Sequence, residues 1–132
     1  MSRDIRSIDW SKIRHFRKEE FECKCGCGAC NVNCQLVFAL DLAREKSGTP
    51  FNISSGARCE AHNKKVGGVP GSSHVSSETK VCHAVDIKYS TPQEGASILK
   101  ALTPYFDRIG IGSNFIHVDN DPKKNAPALW TY

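Results

Sequence analysis

Ala84-Val85-Asp86-Ile87-Lys88-Tyr89, followed at once by Ser90-Thr91-Pro92-Gln93-Glu94, is the stretch that decides the fold. Its first half reads as a short strand. In its second half Thr91 and Glu94 have the spacing of a capping box, and Pro92 takes the first helical position, which predicts a helix to about Leu102. Beyond that helix, Arg108-Ile109-Gly110-Ile111-Gly112 and Phe115-Ile116-His117-Val118-Asp119 read as two more short strands. Upstream, Phe51 to Ser55 alternates as a strand that Gly56 breaks. Asn33 caps a helix whose apolar positions Leu36, Val37, Leu40 and Ala43 recur at helical spacing until Gly48 and Pro50. A short helix is expected over Cys59 to Val66, before the loop Gly67 to Ser73. Ile8 to Phe21 reads as a short helix or turn with an anchoring segment. Short strands interleaved with helices indicate an α+β fold, a small and largely antiparallel sheet flanked by helices.

The 132 residues suit one domain, long enough to bury a core without covalent staples. A hydrophobic share of 39%, with six Phe, three Tyr and two Trp, excludes wholesale disorder. Eighteen Lys and Arg against fourteen Asp and Glu give a formal charge of +4. That charge, without a Lys/Arg cluster, argues against a nucleic-acid partner. The longest apolar run, Leu36 to Leu40, is far short of the roughly 20 residues that span a bilayer. Met1 to Arg6 has basic residues but no apolar stretch behind them, so no signal peptide is expected, and synthesis in the cytoplasm would keep thiols reduced.

Seven cysteines cannot all pair within one chain. Five of them, Cys23, Cys25, Cys27, Cys30 and Cys34, crowd into residues 23–34, while Cys59 and Cys82 stand alone. The crowded segment is dense enough to bind one metal through four thiolates, although it does not follow the paired Cys-x2-Cys pattern of a zinc ribbon. Disulfides are the competing reading, with Cys59 and Cys82 as one pair.

His74 in the glycine-serine loop, Asp86 on the second strand and His117 on the last offer two imidazoles and a carboxylate. That donor set leaves a fourth position open on a catalytic zinc, which lowers the pKa of a bound water to about 7. Solvation of His74, and satisfaction of backbone groups by Asp86 and His117, is the plainer alternative.

Five motifs in order carry a resemblance. They are Ser54-Ser55-Gly56-Ala57-Arg58; Asn63 with Val66-Gly67-Gly68; Ser72-Ser73-His74; Ala84-Val85-Asp86-Ile87; and Gly110-Ile111-Gly112 with Phe115-Ile116-His117-Val118-Asp119 and Trp130. From about Phe16 to Trp130 the chain resembles the zinc D-alanyl-D-alanine carboxypeptidases and related phage endolysins that cut peptidoglycan peptides. The resemblance implies that His74, Asp86 and His117 hold a zinc at the sheet. It also implies that Arg58 helps polarise the scissile carbonyl and that Ser72 positions substrate. A permanently charged, forked guanidinium suits that role.

Two features depart from the family pattern. The family usually sets its first His and Asp seven positions apart with a Gly between, whereas His74 and Asp86 are twelve apart and Cys82 stands at the Gly position. Extra residues within Val75 to Cys82 must bulge outward, and His83 becomes a rival ligand, disfavoured because it alternates with Asp86 onto the opposite strand face. Three positions before the last His, where several members carry an acidic general base, this chain has Asn114. Asp119, two residues beyond His117 and on its face of the strand, is the candidate base, with orientation of a zinc ligand as its other reading. His62 is a weaker candidate. Related phage proteins share a Cys-x-Cys-Gly-Cys-Gly start, which implies a structural role for the thiols, as disulfides or a second zinc.

The expectation is a monomeric zinc peptidase over residues 1–132 that cleaves an amide bond of peptidoglycan stem peptides, as a phage or prophage product acting on the cell wall. The alternative is a non-catalytic, zinc-bearing wall-binding or phage structural module.

Overall fold

The computed structural model describes residues 8–132, so the N-terminal stretch read for a signal peptide lies outside the described residues. Five strands form one sheet: β1 (Asn52–Ser55), β2 (Ala84–Lys88), β3 (Arg108–Ile111), β4 (Phe115–Asp119) and β5 (Ala128–Thr131). Their spatial order is β1-β2-β4-β3-β5. Three pairings are antiparallel and β3 with β5 is parallel, so the α+β, largely antiparallel architecture holds with one additional edge strand.

Side-chain alternation separates the two faces of this sheet. Val85 and Ile87 of β2 and Ile116 and Val118 of β4 are buried in the hydrophobic core with Leu36 and Leu40 of α1 (Cys34–Ser47) and Ile98 and Leu102 of α3 (Pro92–Leu102). Asp86, His117 and Asp119 occupy the intervening positions, so their side chains leave on the face opposite the core.

Both long helices have local causes. Asn33 accepts from the Leu36 N–H at 3.0 Å, and α1 ends on Gly48 at φ 66°, a left-handed conformation that glycine takes without steric cost. Thr91 accepts from the Glu94 N–H at 3.1 Å, but Glu94 reaches one residue past the expected box to take the Ser90 N–H at 2.6 Å. The short helix α2 spans Glu60–Lys65, with Cys59 as its N-cap.

The segment before α1 forms 3-10 turns at Trp10–Lys12 and Lys18–Phe21. Asp41, on the buried side of α1, accepts from the Arg14 and His15 amides at 2.9 and 2.8 Å and so fixes this segment against the helix. No helix among the described residues is long and apolar enough to cross a membrane.

The expected bulge is a short excursion with a closed neck. Val75 still bridges Arg58 and Cys82 bridges Val32, while the His83 N–H donates to Ser73 O at 2.8 Å. Residues 77–79 at its tip are exposed.

Candidate metal centre

A single cross-strand row carries the site. Ser55, Asp86, His117, Gly110 and Trp130 are successive register partners across β1, β2, β4, β3 and β5. His74 joins the row from the loop above it, its ring 5.3 Å from that of His117, centroid to centroid.

Three ligand atoms converge here. Asp86 Oδ1 lies 2.9 Å from His117 Nδ1 and 3.3 Å from His74 Nε2, and the donor atoms all fall within 4.8 Å of one another. Zinc bonds of about 2.0–2.1 Å in tetrahedral geometry set ligands about 3.3 Å apart, so the separations fit that ion. The far ring nitrogens fit it as well. His74 Nδ1 donates to Gly56 O at 2.8 Å, and His117 Nε2 lies 2.7 Å from Asp119 Oδ2. Each acceptor holds a proton on the remote nitrogen and leaves the inner lone pair for a metal.

The electrostatics keep the acids ionised. Burial alone would raise the Asp86 pKa, but hydrogen bonds from the inner nitrogens of His117 and His74, when these carry protons, outweigh it and hold the carboxyl well below the usual range. A bound cation would take the place of those protons. Asp119 is lowered in the same way, burial being overcome by His117 and by Arg108, whose Nε donates to Asp119 Oδ1 at 2.7 Å. Burial would lower the His117 pKa, yet Asp119 and Asp86 together raise it.

Arg58 stands over the outer oxygen of the same carboxylate. Its Nε donates to Ser55 Oγ at 3.0 Å, one terminal nitrogen to Asn63 Oδ1 at 3.2 Å, and the other reaches Asp86 Oδ2 at 3.5 Å. Its amide donates to His74 O at 2.8 Å, so the backbone ties Arg58 to a candidate ligand. Gly68 packs so closely that a β-carbon there would collide with the Asn63 amide and lie 3.1 Å from the guanidinium.

These groups open into a cavity of about 340 Å³. Phe115, Trp130 and Tyr132 line one side of it, with Lys124 and Ser72 also at its surface. Trp130 sits 5.5 Å from the His117 ring and beneath the Arg108 guanidinium, 4.9 Å from its centre. A larger hollow of about 790 Å³ between Trp10, Lys18, Cys30 and Glu78 contains none of the three converging ligands.

The structure brings together His74, Asp86, His117, Arg58, Ser72 and Asp119, all lining one cavity. Ser72 is buried, and its Oγ accepts from the His74 amide at 3.2 Å. Both Asp119 oxygens are engaged, by His117 and by Arg108, and its side chain is 1% exposed. His83 instead faces Asn120, with its Nδ1 3.0 Å from Oδ1. Asn114 is an exposed turn residue whose carbonyl accepts from Tyr89, and neither it nor His62 lines the cavity. Sequence reasoning gave no role to Asn63, Arg108 or Tyr132. Asn63 stood within a quoted motif, whereas the other two are placed only by the sheet.

The thiols require a correction. No disulfide forms among the described residues, and Cys59 and Cys82 are not a pair. Cys82 is buried in the core with its Sγ toward Ala84 O at 3.2 Å, and burial pushes its pKa up to about 12, the mark of an inert thiol. Cys59 lies instead with Cys23, Cys25 and Cys27, so the four converging thiols are not drawn from residues 23–34 alone.

No curated protein matches the chain. A family model does, that of Peptidase M15, over residues 14–119, a span that contains Arg58, Ser72 and the three converging ligands and ends on Asp119. With most of its length inside that match, the chain belongs to the Peptidase M15 family of zinc-dependent peptidases.

Proposed function

We propose that this protein hydrolyses an amide bond in peptidoglycan stem peptides, next to a D-amino acid, with His74, Asp86 and His117 as ligands of the catalytic zinc. The observation that carries this reading is the pair of remote nitrogens. Gly56 O and Asp119 sit against the remote nitrogens, so both imidazoles can keep a proton there and present the inner lone pair to the ion beside Asp86. Zinc, when bound there, polarises the scissile carbonyl and acidifies water.

The chain's own residues do the rest. Arg58 is anchored by Ser55 and Asn63 and presents charge at the rim of the ligand set, where an oxyanion or a substrate carboxylate would be met. Phe115, Trp130 and Tyr132 give the peptide an apolar wall, and Lys124 supplies a cation for the carboxylates of a stem peptide. Ser72 positions substrate at the rim beside His74. Asp119 is better read as a positioning residue than as the base, because both its oxygens are committed to buried donors. A phage or prophage product acting on the cell wall remains the proposed setting.

Purified wall peptides incubated with the protein, with and without a zinc chelator, test the reading. Chelator-sensitive release of amines from peptides with D-residues, and not from all-L analogues, is expected. Absence of release from several wall types at full zinc loading would leave a wall-binding module instead.

A further inference from the structure

A second convergence of metal-binding groups lies outside the cavity. Cys23, Cys25 and Cys27 come from the loop after Phe21, and Cys59 from the N-cap of α2. Cys23 Sγ is 3.4 Å from Cys25 Sγ and 3.8 Å from Cys59 Sγ, Cys25 and Cys59 are 3.7 Å apart, and all four sulfurs lie within 4.8 Å of one another. Tetrahedral zinc with Zn–S bonds of about 2.3 Å sets its sulfurs about 3.8 Å apart. A disulfide would draw two of them to about 2.05 Å. The spacing therefore suits an ion between the thiols and does not suit bonded pairs.

The backbone around the sulfurs is arranged to match. Gly26 and Gly28 take φ of 89° and 83°, which lets the chain turn between successive cysteines, and the Cys23 N–H closes the loop on Ala29 O at 2.8 Å. Two amides point at sulfur: that of Cys59 at Cys23 Sγ, 3.4 Å, and that of His62 at Cys59 Sγ, 3.3 Å. Donors of this kind offset the negative charge that four thiolates leave around one dication.

From this geometry we propose that Cys23, Cys25, Cys27 and Cys59 hold a structural zinc, separate from the ion in the cavity. Binding is ligand exchange without a change of oxidation state: the four thiols give up their protons to solvent as four Zn–S bonds form. The ion fastens the N-terminal loop to the residue next to Arg58, whose carbonyl accepts from the Ser76 amide at 2.7 Å. This inference does not depend on the substrate proposed above.

Elemental analysis of the full chain, purified under reducing conditions without added metal, tests it. Two zinc ions per chain are expected, one missing from the Cys25→Ser and Cys59→Ser variants and the other from His74→Ala. Should the serine variants fail to fold, titration of the native protein with a mercurial, which cleaves zinc–thiolate bonds, decides the matter through a metallochromic dye. One zinc released in step with four thiols supports the site. One zinc per chain, absent from His74→Ala and not released by the mercurial, overturns it, as does native protein in which Cys25 and Cys27 are alkylated at the rate of an unstructured peptide.

Discussion

Gly110 on β3 and Trp130 on β5 are register partners, and the indole fills the space where a β-carbon on Gly110 would stand. That vacancy lets the ring reach across the sheet to His117, 5.5 Å away. A side chain at position 110 must move either the indole or β5. Gly110→Ala is therefore expected to cost about 1–3 kcal/mol by overpacking and to lower peptidase activity, with tryptophan fluorescence shifted toward the solvent-exposed value. Unchanged fluorescence together with unchanged kcat/KM would mean that the indole does not shape the site.

Arg58 divides its donors among Ser55, Asn63 and Asp86, a fork that an ammonium cannot reproduce. For Arg58→Lys, kcat is expected to fall about 100- to 1000-fold, the range for loss of an oxyanion donor, with cavity zinc retained. Gly68→Ala should give a milder version of the same defect by pushing Asn63 and the guanidinium aside. Kinetics run beside metal analysis separate this outcome from loss of the ion.

Asp119→Asn distinguishes a positioning residue from a base. If the carboxylate orients His117, zinc affinity should drop about 10- to 100-fold and excess zinc should restore much of the rate. A base could not be rescued in that way, so a kcat that stays low at saturating zinc would return Asp119 to the chemical step.

Asn31 donates from its side-chain amide to Ser77 O at 2.8 Å and Lys80 O at 3.3 Å, holding the excursion after Val75 against the body of the protein. Asn31→Ala is expected to cost about 1 kcal/mol and to speed proteolytic nicking near residues 77–80, with kcat/KM for a short peptide unchanged. A large fall in kcat/KM would show that the excursion takes part in binding.

Much of this arrangement was legible in the chain because its causes are local. Asn33 and Gly48 bracket α1, Thr91 and Pro92 open α3, and the residues of β2 and β4 carry their own alternation. Once His117 and Asp119 were on one strand, their shared face followed from its period of two. Non-local causes stayed hidden. β5 is short and half exposed, and its reason for being a strand is the parallel partner β3, which no local pattern announces. The fourth thiol beside Cys23, Cys25 and Cys27 is Cys59, delivered by the docking of α2, while Cys30 and Cys34, nearer in sequence, are carried elsewhere by the turn into α1. The engagement of Asp119 by Arg108 likewise depends on the pairing of β3 with β4.

The Ser77 N–H donates to Lys80 O at 2.9 Å, and that closure makes the number of residues between His74 and Asp86 a free variable. Only the exposed turn between Ser77 and Lys80 can lengthen or shorten while His74 and Asp86 stay put, because Val75 and Cys82 are bridged to Arg58 and Val32 on either side of it. Doubling a flexible loop adds only about 0.6 kcal/mol of closure entropy. The tip at residues 77–79 is thus a port at which evolution, or an engineer grafting an epitope or an affinity tag, can add sequence without disturbing the metal ligands.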